Sequence, residues 1–323
     1  MNLKIFESSD SLYEAINSTG YICDKNIALT IYLAYQLQKP ILISGPPGVG
    51  KTEIAKVVSI LLNSRDCIRL QCYEGITYNE AIYDWDYKKQ LLYIEANKTK
   101  LDWDSIEDDL YSDKFLSTRP LLKALTSKEK EVLLIDELDK SDEEFEAFLL
   151  EFLAENQISI AEFKTIKGNQ TPLCFITSND QRELSNALLR RCLSLYIDYP
   201  SIQTETKIVY SRVKDINELL ASKITHFVNC LRDENLKKAP SISETIDWAN
   251  VLVKLNAKDL NTNLVKNTLN VLLKYKTDIE LINTKVNSIL KRFNNEDLVI
   301  KNNEDNVIYK ESDINIEDED WNF

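Results

Sequence analysis

A glycine- and proline-rich turn between an apolar run and a helix is the feature that most constrains how this 323-residue chain can fold. Residues 41–58 read ILISGPPGVGKTEIAKVV, so the apolar run stops at Gly45 and a helical pattern follows Lys51. Short apolar runs bounded by turn signals are typical of buried strands, and Gly and Pro are the strongest local breakers of regular structure. The sequence therefore predicts a strand, a tight loop and a helix in immediate succession.

The loop itself matches G-x-x-x-x-G-K-[ST] at Gly45, Gly50, Lys51 and Thr52. Glycines allow backbone N–H groups to surround phosphate oxygens, and the following helix directs its positive end at the same anion. In this motif the lysine reaches the β- and γ-phosphates and the hydroxyl binds Mg²⁺. A chance glycine-rich turn is the alternative, but the flanking strand and helix favour a site for ATP and Mg²⁺. The residues predicted to bind the nucleotide are Gly45, Pro46, Pro47, Gly48, Val49, Gly50, Lys51, Thr52 and Glu53.

Short apolar runs recur along the first two thirds of the chain, at residues 40–44, 67–72, 132–136, 173–178 and 193–198. Runs that are apolar without alternation predict strands buried on both faces, as in a parallel α/β sheet. Residues 24–38 are predicted to form a helix opened by Asp24, and Ser141 or Asp142 is predicted to cap another. After Pro200 no strand signal precedes the tail, so residues 203–293 are predicted to form a small all-helical domain.

Three polar features lie beside these predicted strands. Asp136 and Glu137 end the third run, and an ATPase needs one carboxylate to orient Mg²⁺ and another to polarise the attacking water. Asn179 follows the fourth run, where an amide can orient that water. Arg190 and Arg191 precede the fifth, where a ring ATPase presents an arginine to its neighbour's nucleotide. Taken alone, the acidic pair could be a helix cap, the asparagine a turn residue and the arginines surface charge. The phosphate loop upstream favours catalytic roles for all three.

Charge and composition narrow the class of protein. Ten acidic residues and two lysines follow Phe293, so residues 294–323 carry −8 of the net charge of −13 and are predicted to be a disordered acidic tail. Without a visible basic face, the acidity weighs against nucleic-acid binding. Six scattered cysteines and the single His226 make a Cys/His metal site hard to build. With no apolar span or secretory signal in view, we expect a reduced, cytoplasmic protein without a membrane span.

The ordered series GPPGVGKT, LLIDELD, TSN and LLRRC, followed by a helical segment, resembles that of AAA+ ATPases. Within that class, the stretches at residues 39–56, 69–94 and 239–252 resemble the MoxR family, and the resemblance spans about residues 18–293. It implies an α/β fold, namely an AAA+ P-loop core with a parallel sheet in the order 5-1-4-3-2 flanked by helices, followed by a small all-α lid. The nucleotide is then expected at the carboxyl ends of the strands.

The resemblance also implies a domain organisation. Residues 1–202 would form the AAA+ nucleotide-binding domain, residues 203–293 the helical lid, and residues 294–323 the acidic tail. Within the first domain, residues 78–118 would carry an insert in the second helix. Residues 156–172 are predicted to form a hairpin with Gly168-Asn169 near its turn. Both would face the pore of a ring, where clients are handled; two ordinary surface loops are the alternative.

Individual roles carry over from the family residue by residue. Lys51 and Thr52 would hold phosphate and Mg²⁺, Asp136 would organise Mg²⁺, and Glu137 would activate water. Asn179 matches the first sensor position of the family.

The predicted arginine finger is Arg191, with Arg190 as the second choice. One position departs from the family pattern, because Ser243 stands where many members have a lid arginine. Lys237 or Lys238 would have to substitute for that arginine, or the second sensor is missing.

As a MoxR-type protein, the chain is expected to form a homo-oligomeric ring, a hexamer, and to hydrolyse ATP to remodel or activate a partner protein. Such clients are often metalloenzymes, and the expected partner carries a von Willebrand factor A domain. The alternative is a nucleic-acid-associated AAA+ motor or loader. A third reading is a nucleotide switch that signals without remodelling, although Glu137, Asn179 and Arg191 favour hydrolysis. The acidic tail is predicted to be solvated rather than a docking segment.

Overall fold

The computed structural model describes residues 3–63, 65–97, 110, 114–160 and 165–304, which divide into two compact units. The first unit comprises residues 1–212 with residues 241–243, and the second comprises residues 213–240 and 244–323. The division falls at the end of a helix that the sequence prediction placed at the start of the lid. Within the described residues, no helix is both long and apolar enough to span a membrane.

The first unit is built on a five-stranded parallel sheet. Its strands are β1 (Ile41–Ser44), β2 (Ile68–Gln71), β5 (Val132–Asp136), β8 (Leu173–Thr177) and β9 (Leu193–Tyr196). They lie in the order β9-β1-β8-β5-β2, and every neighbouring pair is parallel. This confirms the order 5-1-4-3-2. Each residue of β5 and β8 is buried, as expected for inner strands covered by helices on both faces.

Helices of the first unit flank this sheet. They are α1 (Ser9–Ser18), α2 (Lys25–Leu37), α3 (Lys51–Asn63), α4 (Tyr78–Ile82), α5 (Tyr87–Asn97), α6 (Pro120–Thr126), α7 (Glu143–Glu155), α8 (Asn186–Leu189) and α9 (Ile202–Arg212). Single 3₁₀ turns lie at Leu3–Phe6 and Leu138–Lys140. Asp24 caps α2 as predicted, by accepting a hydrogen bond from Ile27 N at 2.9 Å. Of the two residues proposed to cap α7, Asp142 does so, accepting from Phe145 N at 2.8 Å.

Two short antiparallel pairs complete the unit. β3 (Tyr83–Trp85) pairs with β4 (Leu116–Thr118), within the segment 78–118 that was predicted as an insert. Residues 98–109 and 111–113 of that segment lie outside the described residues. β6 (Gln157–Ser159) pairs with β7 (Thr165–Lys167), so the predicted hairpin contains a two-stranded ladder.

The predicted turn of this hairpin at Gly168-Asn169 is wrong. Gly168 follows β7 and donates its N–H to Asn156 O at 2.8 Å, across the open end of the ladder. The chain therefore reverses between Ser159 and Thr165, and residues 161–164 of that connection lie outside the described residues. A glycine closing the ladder was mistaken for a glycine in the turn.

Helices are the regular elements of the second unit within its described residues. They are α10 (Glu218–Arg232), α11 (Ile242–Lys254), α12 (Thr262–Leu272) and α13 (Lys276–Glu304), and the first two residues of α11 are assigned to the first unit. Trp248 is fully buried, donates from Nε1 to Thr268 Oγ1 at 2.8 Å, and has its ring centroid 5.4 Å from that of Phe227. Helix α13 continues past residue 293, where the tail was predicted to begin, because each residue added to an existing helix closes a further hydrogen bond. Residues 305–323 of the predicted tail lie outside the described residues.

Candidate functional site

The loop between β1 and α3 requires glycine at two of its positions. Gly45 has φ +137° and Gly48 has φ +74°, values that residues with a side chain rarely adopt. A Cβ at Gly45 would overlap Ile197 O, and a Cβ at Gly48 would overlap Ser241. The loop therefore keeps a backbone conformation that depends on glycine, which fits a cradle for an anion.

Lys51 begins α3 and turns its ammonium back toward this loop. The residue is 6% exposed, and Nζ donates to Gly45 O, to Pro46 O at 3.0 Å and to Asn179 Oδ1 at 2.7 Å. Burial lowers the pKa of Lys51, whereas the carboxylates of Asp180 and Asp139 act in the opposite direction. A phosphate would offer this buried cation stronger, anionic acceptors than the carbonyl and amide oxygens that it contacts here.

Asp136, at the end of β5, gathers donors on both carboxylate oxygens. Oδ1 accepts from Thr52 Oγ1 at 2.9 Å and from Thr177 Oγ1 at 2.6 Å. Oδ2 accepts from Arg69 Nε at 3.1 Å and from Arg69 Nη2 at 2.5 Å. Asp136 is 2% exposed, so these four bonds compensate a carboxylate that water does not solvate.

Glu137 follows with a left-handed backbone, at φ +57°. Its N–H donates to Thr177 Oγ1 at 2.8 Å. The carboxylate accepts from Gln71 Nε2 at 2.9 Å, Lys140 Nζ at 2.6 Å and Asn179 Nδ2 at 3.2 Å. The hydrogen bond to Glu137 raises the pKa of Lys140.

Asn179, just beyond the end of β8, joins these groups. Its amide accepts from Lys51 on one side and donates to Glu137 on the other. Its backbone N–H and that of Gln181 each donate to Asp139 Oδ2 at 3.0 Å. The buried Asp139 carboxylate thereby fixes the loop that presents the Asn179 side chain.

The structure thus brings Lys51, Thr52, Asp136, Glu137 and Asn179 into one hydrogen-bonded cluster at the carboxyl ends of β1, β5 and β8. Sequence reasoning missed five members of its surroundings: Arg69, Gln71, Asp139, Lys140 and Thr177. Arg69 and Gln71 alternate along β2, and Gln71 lies in register with Asp136 of β5. That alternation of polar residues in an otherwise apolar strand was the signal that could have indicated them.

Other predicted residues of the loop lie at its edges. Val49 is buried and Pro47 is exposed. Glu53 forms ion pairs with Lys56 at 3.5 Å and with Arg212 at 3.4 Å, so its carboxylate is engaged at the surface of the unit. Ser243 belongs to the same unit, and its Oγ would lie 3.6 Å from a Cβ on Gly48. A hydroxyl therefore stands beside the loop at the position where an arginine was expected.

The two lysines proposed as substitutes for that arginine are engaged within the second unit. Lys238 Nζ pairs with Glu244 at 3.3 Å, and Lys237 Nζ lies 5.7 Å from the centroid of the Tyr275 ring. Their backbone N–H groups donate to the Asp278 carboxylate.

Arg190 and Arg191 lie at the end of α8, and both are exposed. Arg191 Nη1 donates to Ala187 O at 3.1 Å, on its own helix, and neither arginine takes part in the bonds that join Lys51 to Asn179 or Asp136 to Thr52. Helix α8 is held by the buried Glu146, whose Oε2 accepts from Ser185 N at 2.9 Å at the helix start. Exposed arginines on a fixed helix can contact another molecule.

The residues present fit ATP and Mg²⁺ by their chemistry. A hydroxyl and carboxylates are the oxygen ligands, direct or through water, that Mg²⁺ takes in phosphate sites. A buried ammonium next to a glycine-constrained loop at the start of α3 fits phosphate oxygens. Among the described residues no cluster of three or more His, Cys, Asp or Glu side chains is arranged to hold a metal.

Comparison with known proteins agrees with this arrangement. Residues 40–192 match the family model of the AAA domain (dynein-related subfamily), and this span includes the loop, Asp136, Glu137, Asn179 and Arg191. No curated protein sequence matches the chain.

Similar solved structures include two mutants of Thermotoga maritima RuvB. One is 18% identical with a TM-score of 0.47, covering 80% of this chain and 72% of that one. Another is 20% identical with a TM-score of 0.45, covering 79% and 71%. The sheet order, the loop between β1 and α3 and the helical C-terminal part show that this chain has the AAA+ P-loop fold, and residues 40–192 are similar to the AAA domain of the dynein-related subfamily.

Proposed function

We propose that this protein is a MoxR-type AAA+ ATPase, which hydrolyses ATP with Mg²⁺ to remodel or activate a partner protein. The observation that carries the ATPase proposal is the single hydrogen-bonded cluster of Lys51, Thr52, Asp136, Glu137 and Asn179. A phosphate-binding cation, a Mg²⁺ ligand pair, a carboxylate base and an orienting amide are the parts that phosphoryl transfer to water requires.

Each residue has one task in this proposal. Lys51 exchanges its carbonyl and amide acceptors for the β- and γ-phosphate oxygens. Thr52 and Asp136, which are joined by a hydrogen bond of 2.9 Å, would hold Mg²⁺. Bound Mg²⁺ supplies charge neutralisation at the phosphate oxygens. Glu137 accepts the proton of the attacking water, and Asn179 orients that water.

Three side-chain donors hold the carboxylate of Glu137, the proposed base. Gln71, Lys140 and Asn179 hold the carboxylate in one orientation, and Glu137 N–H is fixed on Thr177. A carboxylate held in one orientation is well positioned to accept a proton, and positioning supplies most of the catalysis in phosphoryl transfer. An isolated subunit should still turn over slowly, because the arginine proposed to stabilise the transition state comes from a neighbouring subunit.

Faster turnover would need a neighbour. We propose a homo-oligomeric ring, a hexamer, in which Arg191 of one subunit contacts the nucleotide of the next, with Arg190 as the second choice. Their exposure at the end of α8, and the hydrogen bond of Arg191 to Ala187 O, support a role in trans.

We propose that this protein is cytoplasmic and that its partner carries a von Willebrand factor A domain. The resemblance of residues 69–94 and 239–252 to MoxR proteins supports this part of the proposal.

A trapping experiment tests the proposed function. Glu137→Gln should bind ATP–Mg²⁺ without turning it over, so it should retain its client from a lysate of its own cells with ATP and release it with ADP. The double variant Lys51→Ala, Glu137→Gln is the matched control, because it keeps the surface but should not bind ATP. Retention of a protein with a von Willebrand factor A domain, or of an enzyme lacking its metal, supports the proposal. Nuclease-sensitive nucleic acid in its place supports a motor or loader instead.

A further inference from the structure

The guanidinium group of Arg69 lies on the carboxylate that is proposed to bind Mg²⁺. Both Nε and Nη2 of Arg69 donate to Oδ2 of Asp136, while Thr52 and Thr177 donate to Oδ1. Asp136 therefore has a full set of donors, and its only cationic contact in the described structure is supplied by its neighbouring strand β2.

Burial explains why Asp136 holds a cation. Its side chain is 3% exposed, and a buried carboxylate is costly unless an opposite charge or several hydrogen bonds compensate it. The Arg69 side chain is 48% exposed, so it reaches the carboxylate from the solvent side of the edge strand β2. One partner is fixed in the core and the other is free to move into water.

Thr52, the other proposed Mg²⁺ ligand, donates to Oδ1 of Asp136, so Mg²⁺ bound at Thr52 and Oδ1 would lie on the same carboxylate as the guanidinium at Oδ2. Two cations on one buried carboxylate repel each other. The structure offers the displaced guanidinium a second acceptor, because Arg69 Nη2 also donates to Gln71 Oε1. Arg69 can therefore leave Asp136 and keep a hydrogen bond.

We propose that Arg69 is a built-in counter-cation, which occupies Asp136 until the Mg²⁺-nucleotide binds and so raises the Mg²⁺ concentration that the site requires. This inference rests on the proposed ATPase function. It predicts that Arg69 has the opposite effect on Mg²⁺ affinity from that of a purely structural residue. An arginine that merely orients Asp136 would assist Mg²⁺ binding, whereas a competing arginine weakens it.

Binding of fluorescent ATP as a function of free Mg²⁺ tests whether Arg69 weakens or assists Mg²⁺ binding. The probe is ATP carrying a fluorescent group on its ribose, titrated onto the wild type, Arg69→Gln and Arg69→Lys, and Mn²⁺ resonance gives the metal occupancy independently. Ion pairs between a half-exposed and a buried partner lie near the upper end of the range for surface pairs, so we expect Arg69→Gln to lower the half-saturating Mg²⁺ concentration about fivefold. Arg69→Lys keeps the charge but loses the two-donor geometry, so it should shift in the same direction by less.

Arg65→Gln is the matched control. It removes the same charge from the segment leading into β2. Arg65, however, pairs with Glu129 and, at 3.5 Å, with Glu131, which precede the start of β5, whereas Asp136 lies at its carboxyl end. Its Mg²⁺ requirement should equal that of the wild type.

The outcomes separate the two proposals. An unchanged or increased Mg²⁺ requirement in Arg69→Gln, with wild-type binding intact, overturns the role of Arg69 alone. Absence of Mg²⁺-dependent binding in the wild type overturns the proposed function as well. If Arg69→Gln does not give the wild-type circular dichroism spectrum, the direction of the change in Mg²⁺ requirement is taken from Arg69→Lys alone.

Discussion

Thr177 is the residue at which a small change should have the largest effect on the site. It is 1% exposed at the end of β8, and its hydroxyl donates to Asp136 Oδ1 at 2.6 Å while accepting from Glu137 N at 2.8 Å. Thr177→Val replaces this hydroxyl with a methyl group of similar volume. The change therefore removes both hydrogen bonds without creating a cavity.

The size of the effect follows from these two bonds. A hydrogen bond to a charged group contributes about 1.5–3 kcal/mol, and a buried N–H left without a partner costs about 1–3 kcal/mol. The added methyl group returns about 0.8 kcal/mol of apolar burial. The net loss of unfolding free energy should be about 3 kcal/mol, most of it from the disconnection of Asp136 and Glu137.

Urea unfolding followed by circular dichroism measures this loss, with Thr177→Ser as the control that keeps the hydroxyl. Thr177→Ser should lose about 1 kcal/mol, the value of a methyl group in a well-packed place. ATP turnover at saturating ATP should fall more steeply than ATP affinity in Thr177→Val, because the hydroxyl positions Glu137 rather than phosphate. If Thr177→Val unfolds within about 0.5 kcal/mol of the wild type, which is the usual scatter of neutral substitutions, the bridge does not hold the two carboxylates.

Three further predictions concern the surroundings of the cluster. Asp139→Ala leaves the backbone N–H groups of Asn179 and Gln181 without their carboxylate, so turnover should fall about tenfold or more while ATP affinity, measured by calorimetry, stays within about threefold; equal turnover in the two proteins would contradict this. Arg191→Ala should bind ATP normally but lose turnover, and mixing it with Glu137→Gln should restore part of the activity if the arginine acts on a neighbour; recovery is then measured as phosphate release against mixing ratio. Burial raises the pKa of the Cys174 thiol to about 12. The rate at which iodoacetamide labels this thiol in the folded protein, measured by mass spectrometry, should rise with pH through the range 8 to 10 and at pH 8 be roughly a thousandfold slower than that of an ordinary thiol. Fast labelling at pH 8 would refute the burial.

Local patterns were sufficient to predict the parts of the fold that depend on local chemistry. All five strands of the parallel sheet lie within the apolar runs found in the sequence. The inner strands β1, β5 and β8 carry no polar alternation, as expected for strands covered on both faces, whereas the edge strands β2 and β9 alternate. The order of the strands needed the family resemblance, since apolar runs do not encode which strand pairs with which. The cap of α7 is a second case in which the sequence left a choice open, between Ser141 and Asp142. Ser141 Oγ donates to Leu138 O at 2.8 Å and closes the 3₁₀ turn, which leaves Asp142 to cap α7.

Most members of the site that sequence reasoning missed are defined by contacts between distant parts of the chain. Arg69 and Asp136 are joined only because β2 and β5 are neighbours in the sheet, and Thr177 reaches both carboxylates because β8 lies on the other side of β5. Threonine at a strand end has no distinctive local pattern. Asp139 follows the acidic pair directly, but its role becomes visible only when the loop after β8 folds over it.

The measurement that tests the central claim most directly is the affinity of the protein for ATP with Mg²⁺, determined by titration calorimetry for the wild type and Lys51→Ala. Lys56→Ala is the matched control, because Lys56 lies on the same helix and pairs with Glu53 at the surface. The account predicts that the wild type and Lys56→Ala bind ATP equally and that Lys51→Ala loses at least about tenfold, or about 1.4 kcal/mol. Equal affinity of Lys51→Ala and the wild type would show that the nucleotide does not bind at this loop.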